Sequence, residues 1–95
     1  MKEILIDGGA IFTSPDLHEA LAGALAFPEH YGKNLDALYD CLTEAGKPVQ
    51  IIVSYVAEMQ DNLRRYADNL LNTLEAAEEK NPNISVIIEE IVDEL

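Results

Sequence analysis

Gly46-Lys47-Pro48-Val49-Gln50-Ile51-Ile52-Val53 opens on residues that break a helix and continues as an apolar, β-branched run, which reads as a strand. Helical patterns lie on both sides of it. Upstream, Leu35, Leu38 and Leu42 recur at helical spacing behind Asn34, a side-chain cap for a helix running to about Thr43. Downstream, Ser54 to Lys80 is helical in pattern, with Val56, Met59 and Leu63 in one phase and Ala67, Leu70, Leu71, Leu74 and Ala77 in another. Two phases predict two helices with a break near Arg64 to Tyr66. A strand bracketed by helices pairs in parallel with its sheet neighbours, because parallel strands need a crossover and the usual crossover is a helix.

The other elements follow outward from this strand. Ile4-Leu5-Ile6, closed by Asp7-Gly8-Gly9, reads as a buried first strand, and Ile84-Ser85-Val86-Ile87-Ile88, set off by Asn81-Pro82-Asn83, as a third. Between the first two, Ser14-Pro15-Asp16 offers a cap, a proline at the first helical position and an acid near the positive end of the helix dipole. Leu17, Ala20, Leu21 and Ala24 carry that helix toward the core, and Pro28 ends it near Phe27. The expected architecture is α/β: a three-stranded parallel sheet flanked by about four helices, in a single domain over residues 1–88 with an acidic tail over 89–95.

Charge narrows the function. Eighteen Asp and Glu against 6 Lys and Arg give a formal net charge of -12 on 95 residues. The cations Lys2, Lys33, Lys47, Arg64, Arg65 and Lys80 form no basic stripe, which argues against nucleic acid and against anionic membranes. A field of this sign attracts a basic protein instead. The single cysteine, Cys41, allows no internal disulfide, and no secretory signal or membrane-length apolar run is visible, so a cytoplasmic protein is expected. Cys41 itself reads as a small hydrophobe beside the leucine stripe. No cofactor is implied: Cys-x-x-Cys, His-Glu-x-x-His, a phosphate-binding glycine loop and a nucleophile elbow are all missing, and His18 and His30 lie on separate segments.

The helix from Asn34 has an unusual surface. At about 100° per residue, Leu35, Leu38 and Leu42 cluster on one face, while Asp36, Tyr39, Asp40 and Thr43 form a stripe beside them. Asp36 sits in the first turn, where the dipole favours an acid, but Asp40 has no such local reason. Acids at i and i+4 repel, so this stripe suits a cationic partner. In the preceding loop, Gly32 reads as a turn glycine that supplies a positive φ, and His30 as a solvated histidine.

The block Phe27-Pro28-Glu29-His30-Tyr31-Gly32-Lys33-Asn34-Leu35-Asp36-Ala37-Leu38-Tyr39-Asp40-Cys41-Leu42-Thr43 closely resembles the central segment of the barstar family of bacterial ribonuclease inhibitors, and the resemblance runs from the first strand to about Ile88. It implies the sheet and helices already expected, with the second helix and its preceding loop inserted into the active site of a basic, guanyl-preferring ribonuclease. By position, Asp40 is then the principal acid, taking the place of a substrate phosphate, and Asp36 pairs with a cation at the rim. Gly32, Asn34, Leu35, Tyr39 and Thr43, with His30 and Tyr31 of the loop, are the surrounding contact residues. Such a protein is an inhibitor or immunity protein rather than an enzyme, monomeric until it binds. Some positions depart from the family's best-known pattern. Tyr39 stands for a tryptophan, His30 for a tyrosine, Lys33 brings a cation into the loop, and Ala76 stands for an acidic contact that Glu75 or Glu79 would have to replace. These changes leave open a binding module for a different basic protein. An enzyme or metal protein using Asp36 and Asp40 is the weakest reading, since two carboxylates alone hold Mg²⁺ loosely.

Overall fold

The computed structural model describes residues 1–89. Three strands, β1 (Lys2–Asp7), β2 (Val49–Ser54) and β3 (Ile84–Ile88), form a sheet in the order β1-β2-β3, both pairs parallel. The connections are helical, as parallel pairing requires. Helices α1 (Ser14–Leu25) and α2 (Leu35–Thr43) link β1 to β2, and α3 (Val56–Leu63) and α4 (Arg65–Lys80) link β2 to β3. Helix α1 packs on β1 and α4 on β3, while α2 lies against α4.

Register decides which side chains enter the core. Ile4, Ile51 and Val86 share one row and Ile6, Val53 and Ile88 the next. Ile4, Ile6, Ile51 and Val53 are buried against Leu17, Leu21, Leu70 and Leu74 of the helices. The opposite row is Leu5, Ile52 and Ile87, and there Leu5 is 63% and Ile87 39% exposed. A fully buried first strand is therefore not what forms: helices cover one sheet face, and Leu5 points to the other. The apolar run Ile4-Leu5-Ile6 conceals this because alternation is the signal that separates one-sided from two-sided burial, and here it is missing.

Local chemistry shifts the ends of α1. Thr13, not Ser14, is the cap: its hydroxyl accepts from the Asp16 amide at 3.2 Å, and the Asp16 carboxylate accepts from the Thr13 amide at 3.2 Å. Pro15 then falls at the second helical position, where its missing N–H is still one that no intrahelical carbonyl would use. The helix stops at Leu25 because Ala26 turns left-handed, with φ 54°, ahead of Pro28. Between α3 and α4 the break falls within the expected stretch, at Arg64, whose φ of 57° ends one helix and starts the next.

Gly8, in the 3-10 turn after β1, lies where α3 leaves β2. A Cβ there would meet the Tyr55 carbonyl oxygen and lie 2.6 Å from that of Ser54, so only glycine fits. Beyond β3, the Glu89 amide still donates to the Val53 carbonyl at 2.8 Å. The rest of the expected acidic tail lies outside the described residues. No helix among the described residues is long and apolar enough to cross a membrane.

Candidate functional site

The sequence points to α2 and the loop before it, and the structure shows how each is held. Leu38 and Leu42 are fully buried against the body of the protein, which turns the opposite side of α2 outward. Asp36 and Asp40 are exposed there, with Leu35, Tyr39 and Thr43 half-buried at the margins. The Asn34 side chain accepts from the Ala37 amide at 2.7 Å and donates to the Gly32 carbonyl at 3.3 Å, so one residue both starts the helix and shapes the loop. Thr43 donates its hydroxyl to the Asp40 carbonyl at 3.1 Å.

The far end of α2 is secured from a distance. Asn81, only 7% exposed, donates through Nδ2 to the carbonyls of Leu42 at 2.9 Å, Thr43 at 3.3 Å and Ala45 at 3.0 Å, and accepts from the Asn83 amide at 3.0 Å. Carbonyls at a helix C-terminus have no intrahelical donor, and this amide supplies one.

The loop also reaches inward. Tyr31 is 7% exposed, its amide donates to the Pro28 carbonyl at 2.9 Å, and its ring packs on Phe27 at 4.7 Å between centroids. Its hydroxyl lies 2.6 Å from Nδ1 of His18, and Nε2 of His18 lies 2.6 Å from the Tyr66 hydroxyl. His18 is wholly buried. Burial holds its imidazole below the usual histidine range and pushes the Tyr31 and Tyr66 phenols up, so the cluster is neutral. Tyr31, expected as a contact residue, thus turns its polar end into the protein, whereas His30, Gly32 and Asn34 are exposed, as are Pro28, Glu29 and Lys33 of the same loop. Gly32 does not supply the positive φ that its type suggested. No glycine does, and Lys33, with φ 53°, makes that turn instead.

Between loop and helix lies an open depression of about 260 Å³, lined by Pro28, His30, Tyr31, Gly32, Ala37, Asp40, Cys41 and Glu44. It brings together four of the expected residues, His30, Tyr31, Gly32 and Asp40; Asn34, Leu35, Asp36, Tyr39 and Thr43 lie outside it. Glu44 is the acid that sequence reasoning passed over. It is exposed, and the spacing 36, 40, 44 was the available signal, since residues four apart share a helix face. Burial first, then Glu44 and Asp40, push the Cys41 thiol up, so this cysteine is protonated and a poor nucleophile. Glu75 and Glu79 are exposed on α4 but do not line the depression. Among the described residues no cluster of three or more His, Cys, Asp or Glu could hold a metal ion.

Such an arrangement offers a fixed ridge of negative charge beside a hollow. The family model described as Barstar (barnase inhibitor) matches residues 1–89. The chain belongs to the barstar family. Among the relatives of this barstar-family protein, one named "Putative ribonuclease inhibitor YrdF", from Bacillus subtilis (strain 168), is 38% identical over 91 residues, covering 94% of this chain and 100% of that protein. The family match over residues 1–89 takes in all three strands and all four helices.

Proposed function

We propose that this protein inhibits a basic ribonuclease of the barnase type by laying α2 and the loop before it across the enzyme's cationic pocket. The observation that carries this reading is the ridge Asp36–Asp40 held outward on a helix whose inner face, Leu38 and Leu42, is buried in the core. A ribonuclease gathers cations around the scissile phosphate, and a positioned carboxylate satisfies the same groups at no chemical step. Asp40 borders the depression and is the group that takes the phosphate's place; Asp36 pairs nearer the rim. Family membership and the relative's name support inhibition of a ribonuclease, and the net charge of -12 supports a basic target reached by electrostatic steering.

The test is binding to a barnase-type ribonuclease. Asp40→Ala is expected to weaken the complex by about 100-fold or more, the loss typical of one partner removed from a buried charge pair, whereas Glu3→Ala, on the far face of the sheet, changes it less than about threefold. Equal losses would show that diffuse charge, not a site, drives binding. Association should also slow as salt is raised.

A further inference from the structure

We propose that His18 is a positioning residue for the binding loop: its imidazole clamps Tyr31 to Tyr66 and so fixes residues 28–34 in the shape that meets the ribonuclease, an inference that rests on the inhibitor reading above. The other hydrogen bonds described along this loop are local. Tyr31 donates to Pro28 and Asn34 to Gly32, while Ala37 donates to Asn34, all within three residues in sequence. Local bonds shape a turn but do not fix its place on the protein. Tyr31 to His18 spans 13 residues, and His18 to Tyr66 spans 48, so the pair ties the loop to α1 and to the second residue of α4.

The chemistry suits a clamp. A neutral imidazole donates from one nitrogen and accepts at the other, and a phenol can do either, so both contacts are satisfied at once in either tautomer. With His18 wholly buried, a phenol lost on either side takes away the side-chain partner of one ring nitrogen. The rings also pack, Tyr31 tilted on His18 at 5.7 Å and Tyr66 edge-on at 6.0 Å. An apolar residue at 18 would fill the core more cheaply. What it would not do is hold Tyr31, and through Tyr31 the wall of the depression that Pro28, His30 and Gly32 share with Asp40.

Two readouts test this: hydrogen exchange of the loop amides in the free protein, and dissociation from a barnase-type ribonuclease. His18→Leu is expected to raise both by about tenfold, with association little changed, as the loss of one or two buried hydrogen bonds implies. Tyr66→Phe, which leaves the loop's own residues intact, should raise both by about threefold, and His18→Gln, whose amide both donates and accepts, should recover part of the His18→Leu loss. Should His18→Leu fail to fold, Tyr66→Phe decides. If both variants lose global stability but keep wild-type loop exchange and dissociation, the clamp is refuted and His18 is only a core residue. If the unaltered protein does not bind the nuclease, the inhibitor reading fails by itself, and loop exchange still decides the clamp.

Discussion

Replacing Asn81, only 7% exposed, by Ala should remove about 3 kcal/mol of stability. Three of its hydrogen bonds are well formed, two from Nδ2 to Leu42 and Ala45 and one to Oδ1 from the Asn83 amide; the contact to Thr43 at 3.3 Å shares a proton with these. At about 1 kcal/mol net for each bond the loss is about 3 kcal/mol. The Leu42 carbonyl keeps the Ala45 amide at 3.2 Å, so no acceptor there is wholly orphaned and the cost should not run far beyond that sum. Urea unfolding followed by circular dichroism measures it directly. With a slope of about 1–1.5 kcal/mol per molar urea for a chain this size, the midpoint should fall by about 2–3 M with the slope unchanged. Asn81→Asp is a sharper variant, because it keeps the shape but turns the donor into an anion facing three carbonyls; its loss should exceed that of Ala at neutral pH and shrink in acid, where the carboxyl regains a proton to donate. A loss below about 1 kcal/mol for Asn81→Ala would mean that water replaces the amide and that α2 is not fastened at this end.

Other expectations concern the remaining fixed points. Gly8→Ala forces a methyl into the Ser54 and Tyr55 carbonyls and should cost about 2 kcal/mol, lowering Tm by about 10 °C in a thermal melt, whereas Gly46→Ala, with nothing within 4 Å of its added Cβ, should leave Tm unchanged. Asn34→Ala should cost about 1 kcal/mol by urea unfolding, as loss of a helix cap does. Burial lowers the His18 pKa, so the folded protein holds the ring neutral while the unfolded chain takes up a proton below about pH 6.5. That contribution is whole above pH 6.5 and is lost as pH falls toward the lowered value, at up to about 1.4 kcal/mol per pH unit. Urea midpoints between pH 5 and 7 should slope less steeply in His18→Leu than in the unaltered protein; parallel slopes would show that His18 does not titrate on unfolding.

What the sequence disclosed depended on whether a signal was local. The order of elements, the break at Arg64 and the Asn34 cap were legible because periodicity and capping act within a few residues. Two-sidedness of the sheet was not, since Leu5 looks like its neighbours Ile4 and Ile6 and is exposed because the described helices lie over the other face. The positive φ assigned to Gly32 falls on Lys33, because the loop's path is set by Tyr31 reaching inward and by Asn34 capping α2 rather than by the residue best suited to the turn. His18 sits beside Leu17 on the buried face, and nothing nearby in sequence marks it as the meeting point of two tyrosines from distant segments. Within the site, Asp36 and Asp40 stand where the helical wheel puts them, and Glu44 extends the same stripe by one more turn.

These fastenings bear on how the ridge can act. Helix α2 has nine residues and no basic residue in its last turn, and its outward acids repel one another. Isolated helices shorter than about 12 residues are marginal in water, so α2 owes its order to Leu38 and Leu42 within the core, Asn34 at one end and Asn81 at the other. None of those groups contributes charge to the ridge. Inhibition by a preformed anionic surface requires the carboxylates to be in place before the enzyme arrives, because ordering them on contact would draw on the binding free energy itself. On the proposed mode of inhibition, substitutions in the residues that fasten α2 should therefore weaken binding even with every carboxylate intact. Asn81→Ala should dissociate faster from the ribonuclease than the unaltered protein while associating at the same salt-dependent rate, since steering depends on net charge and residence on a helix that stays where it is put.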